Sequence, residues 1–408
     1  MQKTTQIQGF HKFKLIFILA LMSSVAPLST DMYLPALENV QYSFKTSPFL
    51  TQLSLASFFI AFALGQLVYG PLSVIFGRKK PFCVGISLFI LSSLGCFLID
   101  NIYAFIFLRF LEALGGCAGV VIARAVVNDL FELKEAAAVF ALMMVVSSLA
   151  PMLSPSLGSL LLQFFSWHSI FATLFALGVF LLVLVVFWLK ESAPLQKGVK
   201  FSNKKTFQSY AFVFKDKSFL AYVIAGALAM GGMFAYITSS SYIFSEMFDL
   251  SKQEYGILFG VNALGFVIFA NINAKIVLNS SPFIILPRAF VIMFITSVLL
   301  FVLHFSKGFL AFELPLFFVI ATLGFLMPNL TTIAMARFKE HSGTASAVLG
   351  SIQFGFAGLI SFLVGKFNAN DTFSLALIMM ICCFLAMMIY FVGSKLKSEK
   401  SLFNEVIC

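Results

Sequence analysis

Residues 15–37 read LIFILALMSSVAPLSTDMYLPAL and form the first long apolar stretch of the chain. About 20 residues at ~1.5 Å of rise per residue are enough to cross the hydrocarbon core of a bilayer as a helix. One carboxylate, Asp31, nevertheless lies inside the stretch. A charge in such a position costs on the order of 3 kcal/mol, so residues of this kind usually face a protein interior or a wet cavity and serve a function.

Apolar stretches of the same length recur along the whole chain. Its 408 residues are 60% hydrophobic and 11% charged, whereas a soluble protein carries about 25% charged residues. We therefore predict an all-α membrane protein with twelve transmembrane helices in two six-helix halves. The predicted spans are residues 14–37, 50–73, 82–99, 102–124, 137–161, 168–189, 218–244, 255–276, 283–304, 308–333, 344–365 and 373–394.

One break between the spans differs from the others. Residues 190–217 carry seven lysines and little apolar periodicity, and they leave six spans on either side. We predict an N-terminal bundle over residues 1–189, a basic cytoplasmic linker over 190–217 and a C-terminal bundle over 218–408. Two six-helix halves are the layout of one large class of transporters.

The distribution of basic residues predicts the orientation in the membrane. With the N-terminus inside, cytoplasmic segments hold 22 of the 27 lysines and arginines, and outer loops hold four. Cytoplasmic loops of membrane proteins collect Lys and Arg, so both termini are expected in the cytoplasm. The same bias explains the net charge of +10 without a nucleic-acid partner.

Four charged residues fall within the predicted spans. They are Asp31, Arg109, Glu112 and, less deeply, Glu313. The helical rise puts Asp31 ~6 Å and Arg109 ~10 Å below the outer face of the hydrocarbon core, so the two could meet if their helices are neighbours. Arg109 and Glu112 are three residues apart and share a helix face. Glu313 is either an intramembrane carboxylate or a wetted helix end.

Two carboxylates around one arginine suit proton coupling. The arginine stays charged and holds one carboxylate ionised, while the other takes up a proton or a cationic substrate and changes which pair forms. The alternative interpretation is a structural triad of ion pairs. We expect Asp31→Asn to keep the fold and to remove proton-coupled transport.

Residues 70–80 read GPLSVIFGRKK and resemble the signature loop of the major facilitator superfamily. Gly70 and Gly77 are expected to permit a tight turn. Arg78 and Lys79 are expected to hold that turn on the cytoplasmic side. Val74 and Ile75 stand where the family usually has an acidic and a basic residue, so the charge latch that this acid usually serves is not expected here.

Three further stretches extend the resemblance. Residues 108–116, LRFLEALGG, resemble the family's fourth-helix motif, with Glu112 where Gln is usual. Residues 150–158, APMLSPSLG, resemble the antiporter motif of drug:proton exchangers through Pro151, Pro155 and Gly158. With Ser29–Pro35, WHSIF at 167–171 and GTASA at 343–347, the chain resembles the bicyclomycin/chloramphenicol-resistance (Bcr/CflA) branch of the drug:proton antiporters.

This resemblance implies a multi-pass protein of the inner membrane, with a cavity lined by the first, fourth, seventh and tenth spans. Asp31, Arg109 and Glu112 would couple protons there. It also implies a small-molecule substrate exchanged for protons. From the residues themselves we expect no enzymatic activity, no cofactor and no metal, since the cysteines and histidines lack the spacing of metal ligands, and we expect a monomer. The expected substrate-binding residues are Tyr33, Tyr236, Ser239, Ser240, Tyr242 and Asn329.

Two alternative functions remain open on the sequence. The same cycle would also serve the export of a native metabolite, such as an amino acid or a siderophore. A membrane-embedded enzyme or scaffold is the other alternative, although the sequence contains no HExxH, GxSxG or P-loop pattern.

Overall fold

The structure is a computed structural model that describes residues 10–131, 153–192, 203–336, 342–368 and 370–395, together with the single residues 139, 143 and 338. Its internal contacts divide the chain into two compact units, Met1–Ser202 and Asn203–Cys408. The predicted limits of a linker at 190–217 stay a prediction.

The described part of the first unit is helical, and its helices pack around α5. Asn101 caps α5, since its side-chain oxygen accepts hydrogen bonds from the backbone N–H groups of Tyr103 and Ala104 at 2.9 and 3.1 Å. Helix α5 packs against α1, α3 and α4, and α7 packs against α1 and α4. The helices are α1 (Phe10–Asp31), α2 (Leu37–Ser43), α3 (Pro48–Ile75), α4 (Lys79–Leu98), α5 (Ile102–Leu130), α6 (153–164) and α7 (His168–Trp188).

The second unit is built around α9 and α12. Helix α9 packs against α12, α13 and α14, and α12 also packs against α10 and α11. Helix α8 lies within the segment predicted as a linker, and the ring of its Phe212 meets Phe338 edge-on at 6.0 Å. The helices are α8 (Asn203–Lys215), α9 (Lys217–Tyr242), α10 (Lys252–Ile276), α11 (Pro282–Leu303), α12 (Phe309–Ala336), α13 (Ser342–Lys366) and α14 (Thr372–Lys395).

Eleven helices of the described residues are long and apolar enough to cross a membrane. The predicted span 137–161 lies largely outside the described residues, and its described part from residue 153 onward is helical. The prediction of an all-α membrane protein is confirmed.

The first predicted span, 14–37, is not one continuous helix. Helix α1 ends at Asp31, and a short 3₁₀ segment, Leu34–Ala36, leads into α2. Pro35 has no backbone N–H to donate to an α-helix, which accounts for a break at this point. Interrupted helices at membrane depth are tolerated where the freed backbone is buried in protein or lines a wet cavity, and residues 32–36 are all buried.

Candidate functional site

A buried ion pair lies on helix α5 of the first unit. Nη1 of Arg109 donates to Oε2 of Glu112 at 2.6 Å, and both side chains are 0% exposed. Ser29 on α1 and Ser93 on α4 each donate from Oγ to Oε1 of Glu112 at 3.0 Å. Three helices therefore supply donors to one carboxylate, which offsets the cost of burying its charge.

The guanidinium of Arg109 is enclosed by aromatic rings. Its central carbon lies 4.5 Å from the ring centre of Phe58, 4.9 Å from that of Tyr33 and 5.6 Å from that of Phe171. Nη1 also donates to Oγ of Ser29 at 2.8 Å. Ring faces and hydrogen bonds together hold the positive charge in an apolar setting. Nε of Arg109 is buried and has no hydrogen-bond partner.

Asp31 lies at the end of α1, two residues after Ser29, and is 6% exposed. The sequence suggested that Asp31 and Arg109 could meet. Helices α1 and α5 are indeed in contact, but Arg109 pairs with Glu112. Among the described residues, no hydrogen bond or ion pair engages the Asp31 carboxylate. Among the described residues, Ser29, Ser93, Arg109 and Glu112 form one bonded group, the charge cluster, and no bond joins Asp31 to it.

Helix α6 contacts the backbone of Met32, the residue directly after Asp31. A Cβ atom added to Gly158 would collide with the carbonyl oxygen of Met32. The glycine thus permits the backbones of α6 and of the α1 end to touch. Pro155, one turn earlier, is buried, whereas Pro151 lies outside the described residues. Two residues of the predicted antiporter motif therefore lie in a helix that contacts the end of α1.

Tyr33, predicted to bind substrate, is fully buried in the first unit. Its hydroxyl lies 3.0 Å from Oγ of Ser54. Its ring centre is 5.9 Å from that of Phe105 and 5.8 Å from that of Phe171. Since its ring also covers Arg109, Tyr33 belongs to the charge cluster as well.

The other predicted binding residues lie in the second unit, four on α9 and one on α12, and all are buried. The hydroxyl of Tyr236 accepts from Nδ2 of Asn262 at 3.2 Å, and its ring stacks on Phe259 at 5.5 Å. Oγ of Ser240 lies 2.9 Å from the hydroxyl of Tyr255. These contacts connect α9 to α10.

The remaining residues of this set differ in their partners. Oγ of Ser239 donates to the carbonyl oxygen of Ala235 in its own helix at 2.9 Å. Nδ2 of Asn329 donates to Oδ1 of Asn273 at 2.7 Å, which connects α12 to α10. Tyr242 is 1% exposed. Asn329 thus has an interhelical partner in this structure.

The turn of the signature loop depends on one glycine. Gly77 has φ +81°, a left-handed conformation that favours glycine. Gly70, in contrast, lies inside α3, and an added Cβ there would meet nothing within 4 Å. The expectation that Gly70 permits the turn is therefore wrong, because α3 continues to Ile75.

Two carboxylates hold the predicted basic residues of this loop. Arg78 donates to both oxygens of Asp129 at 2.7 and 3.2 Å. The backbone N–H groups of Arg78 and Lys79 donate to Glu191 at 2.7 and 3.1 Å, and Nζ of Lys79 donates to the carbonyl oxygen of Val186 at 2.7 Å. Acids from α5 and from the segment after α7 therefore anchor a loop that lacks an acid of its own.

A family model, the Major Facilitator Superfamily, matches residues 19–361. The chain belongs to the major facilitator superfamily. It is a multi-pass membrane transporter, in agreement with the helices described above.

Relatives of this chain carry transporter and drug-resistance names. An uncharacterized MFS-type transporter, YdgK of Bacillus subtilis, is 33% identical over 94% of this chain and 96% of its own length. A bicyclomycin resistance protein homolog of Haemophilus influenzae is 26% identical over 93% and 96%. The multidrug resistance protein MdtL of Vibrio parahaemolyticus is 24% identical over 87% and 92%.

Solved structures show the same fold. The xylose transporter XylE from E. coli, in a partially occluded inward-open conformation, matches with a TM-score of 0.74, 14% identity and coverage of 94% of this chain and 98% of its own. A bacterial homolog of the human lysosomal transporter Spinster matches with a TM-score of 0.73, 12% identity and coverage of 95% and 98%.

The structure adds residues to those that the sequence predicted for the site. Ser29 and Ser93 hold Glu112, and Glu191 and Asp129 hold the signature loop. Glu191 is an acid in an otherwise lysine-rich segment, and this contrast could have indicated its contact with the loop. The two serines carry no comparable signal, because serines inside spans commonly bond to their own helix, as Ser24 does here to Ala20.

Proposed function

We propose that this transporter is a proton-coupled antiporter that exports drugs or other small hydrophobic compounds across the inner membrane by alternating access. Two observations on neighbouring residues carry the proposal: Arg109 is paired with Glu112 and bonded to Ser29 on α1, and the buried Asp31, two residues after Ser29, has no partner among the described residues. The drug-resistance names of two relatives support the substrate class.

Under this proposal the two buried carboxylates, Glu112 and Asp31, have different tasks. Glu112 keeps Arg109 in place, since its oxygens accept from the guanidinium and from two serines. Asp31 lies at a helix end, and burial of an unpaired charge is costly. A proton bound to Asp31 removes that cost, so Asp31 is the group that gains most from binding and releasing a proton as access alternates.

The proton gradient supplies enough energy for export. One proton moving inward gains ~2.3 kcal/mol per 100 mV and ~1.4 kcal/mol per pH unit. The sum of ~3.7 kcal/mol supports roughly a 500-fold gradient of a neutral substrate at one proton per cycle.

Under this proposal the buried polar residues that the family resemblance indicated bind the substrate. Both termini lie in the cytoplasm. Tyrosine rings contribute stacking surface for flat compounds, and serine and asparagine groups contribute hydrogen bonds. The linker at 190–217 joins halves that rock during transport, and the protein acts as a monomer. The proposed binding residues are Tyr33, Tyr236, Ser239, Ser240, Tyr242 and Asn329.

A resistance assay tests the proposed function. The protein is expressed in cells that lack their own efflux pumps, and growth is measured with bicyclomycin, chloramphenicol and ethidium. We expect resistance to at least two of these unlike compounds, and we expect a protonophore to abolish the efflux of ethidium from the same cells. Asp31→Asn should lose the effect, and Asp100→Asn, which changes an exposed loop aspartate, should retain it.

Two outcomes would contradict the proposal. Efflux that persists after the proton gradient is dissipated would exclude proton coupling. Unchanged sensitivity to the whole panel, together with one metabolite accumulating in the medium, would favour a metabolite exporter that uses the same cycle.

A further inference from the structure

Helix α8 is a short basic helix that leads directly into a membrane span. Its 13 residues contain three lysines and no acid, and 13 residues are too few to cross a bilayer. Asp216 separates α8 from α9, which is long and apolar enough to cross. Because the apolar sequence of α9 begins at Phe219, α8 lies near the level of the lipid headgroups.

Helix α8 buries one side chain in the second unit and leaves aromatic rings exposed. Val213 is 0% exposed, whereas its neighbours Phe212 and Phe214 are 56% and 46% exposed. The ring of Phe212 meets Phe338 edge-on, and the ring of Phe214 contacts no other ring of the described residues. Exposed rings on a basic helix are typical of helices that lie in the membrane interface.

Three exposed lysines lie at the same end of the second unit. Lys215 ends α8, Lys217 begins α9 and Lys395 ends α14. Helices α9 and α14 are packed together at this end, since a Cβ atom added to Gly393 would lie 2.5 Å from that of Ala221. Lys395 follows that contact by two residues on α14, and Lys217 precedes it by four on α9.

The protein does not neutralise these lysines itself. Among the residues that the structure describes, none forms an ion pair or a hydrogen bond with the side chain of Lys215, Lys217 or Lys395. Asp216 lies between two of them, but its Oδ1 accepts from the backbone N–H of Phe219 at 2.9 Å and caps α9. The surface therefore offers positive charge to an external anion.

The position of this surface selects the kind of anion. Next to Lys395 on the last turn of α14, Phe391 and Val392 are 36% and 57% exposed, so apolar surface adjoins the lysine. A water-soluble polyanion would pair with the lysines but would leave these side chains and the rings of α8 in water. A phospholipid covers both, since its phosphate meets the ammonium groups and its acyl chains meet the apolar side chains.

We infer that Lys215, Lys217 and Lys395 form a binding surface for the headgroups of anionic phospholipids, and that Phe214 inserts between headgroups and acyl chains. In the orientation proposed above, the lipid belongs to the cytoplasmic leaflet, whose negative surface potential attracts lysines next to a span. The bound lipid holds the first turn of α9, the helix that carries four of the proposed substrate-binding residues.

Native mass spectrometry tests the headgroup preference. The full-length protein in detergent is mixed with phosphatidylglycerol or with phosphatidylcholine of equal chain length, and the affinity for the first bound lipid is measured. We expect the wild type to prefer phosphatidylglycerol. The double variant Lys215→Gln/Lys217→Gln should bind it about 25-fold more weakly, because each lysine near the surface contributes about fivefold.

The matched control removes the same charge from the opposite end of the second unit. Lys307 and Lys366 are exposed and lie on the loop after α11 and at the end of α13. The double variant Lys307→Gln/Lys366→Gln should keep the wild-type preference. A loss as large as that of Lys215→Gln/Lys217→Gln would show an effect of net charge alone and would overturn the site.

Hydrogen exchange locates the contact on the chain. In nanodiscs, the backbone amides of α8 should exchange more slowly with phosphatidylglycerol present than in phosphatidylcholine alone, and high salt should reduce the difference. Phe214→Ser, which keeps every lysine, serves if the lysine variant does not fold, and it should speed the exchange of α8 in phosphatidylglycerol. Unchanged exchange in Phe214→Ser would overturn the insertion of the ring.

Three outcomes would contradict the lipid surface. They are equal affinity of the wild type and of Lys215→Gln/Lys217→Gln for phosphatidylglycerol, equal exchange of the wild-type α8 amides in both lipids, and displacement of the lipid by an equal concentration of glycerol phosphate. The last result would identify a soluble phosphate as the ligand. All these measurements omit substrate, so a failure of ethidium efflux would contradict the proposed function alone.

Discussion

Single residues decide how the charge cluster is held. Glu112 stands where the family's fourth-helix motif usually has Gln, and Ser29, Ser93 and Arg109 all donate to it. Because the carboxylate is fully buried, each donor contributes more than a surface hydrogen bond would. Asp31 has no comparable donors among the described residues, and this difference is the basis for its proposed role.

We predict that Ser93→Ala destabilises the protein by about 2 kcal/mol, the cost of one hydrogen bond to a buried charged group. The measurement is the thermal unfolding temperature of the purified protein in detergent. Ser92→Ala is the matched control, since Ser92 is equally buried and none of the hydrogen bonds of the described residues joins it to Glu112. Equal unfolding temperatures for the two variants would show that Ser93 does not support Glu112.

At the scale of helices, hydropathy predicted most of the spans, because lipid-exposed helices must be apolar along their length. The break after Asp31, the helix Asn203–Lys215 and the burial of Glu313 were not predicted. Pro35 was a local signal for the break, whereas the helix and the buried glutamate pack against residues far away in the chain, as Phe212 does against Phe338. The local pattern of apolar and polar residues in the sequence does not indicate such contacts.

The contact between α6 and the end of α1 gives a prediction at this scale. Gly158→Ala places a methyl group against the carbonyl oxygen of Met32, so we expect a lower unfolding temperature and at least a tenfold loss of transport. Gly70→Ala is the control, because the space around Gly70 is open. Full activity and stability in Gly158→Ala would contradict the proposed close packing beside Asp31.

The signature loop gives a second prediction at the scale of elements. Glu191 accepts from the backbone N–H groups of Arg78 and Lys79 at the N-terminus of α4, where a negative charge is favoured by the helix dipole. We expect Glu191→Gln to weaken this cap by about 1 kcal/mol and to speed hydrogen exchange at the amides of Arg78 and Lys79. Exchange rates equal to those of the wild type would show that the carboxylate is not needed there.

For the whole molecule, the sequence predicted two six-helix halves, and the structure divides the chain into two compact units at residue 202. The charge cluster lies in the first unit, and the hydrogen bond between Asn262 and Tyr236 lies in the second. Of the candidate site, charged residues were predictable because a charge inside an apolar span is conspicuous. The pairing of Arg109 with Glu112 on one helix was also predictable, whereas the serines that bond to Glu112 from other helices were not, because those contacts depend on how neighbouring helices are rotated.

Proton release from the purified protein tests the central claim most directly. Weakly buffered protein in detergent is mixed with ethidium or chloramphenicol, and the pH change is recorded for the wild type, Asp31→Asn and Asp100→Asn. The account predicts release from the wild type and from Asp100→Asn, and none or much less from a folded Asp31→Asn. Undiminished release from Asp31→Asn would contradict the claim that this aspartate exchanges its proton for cargo.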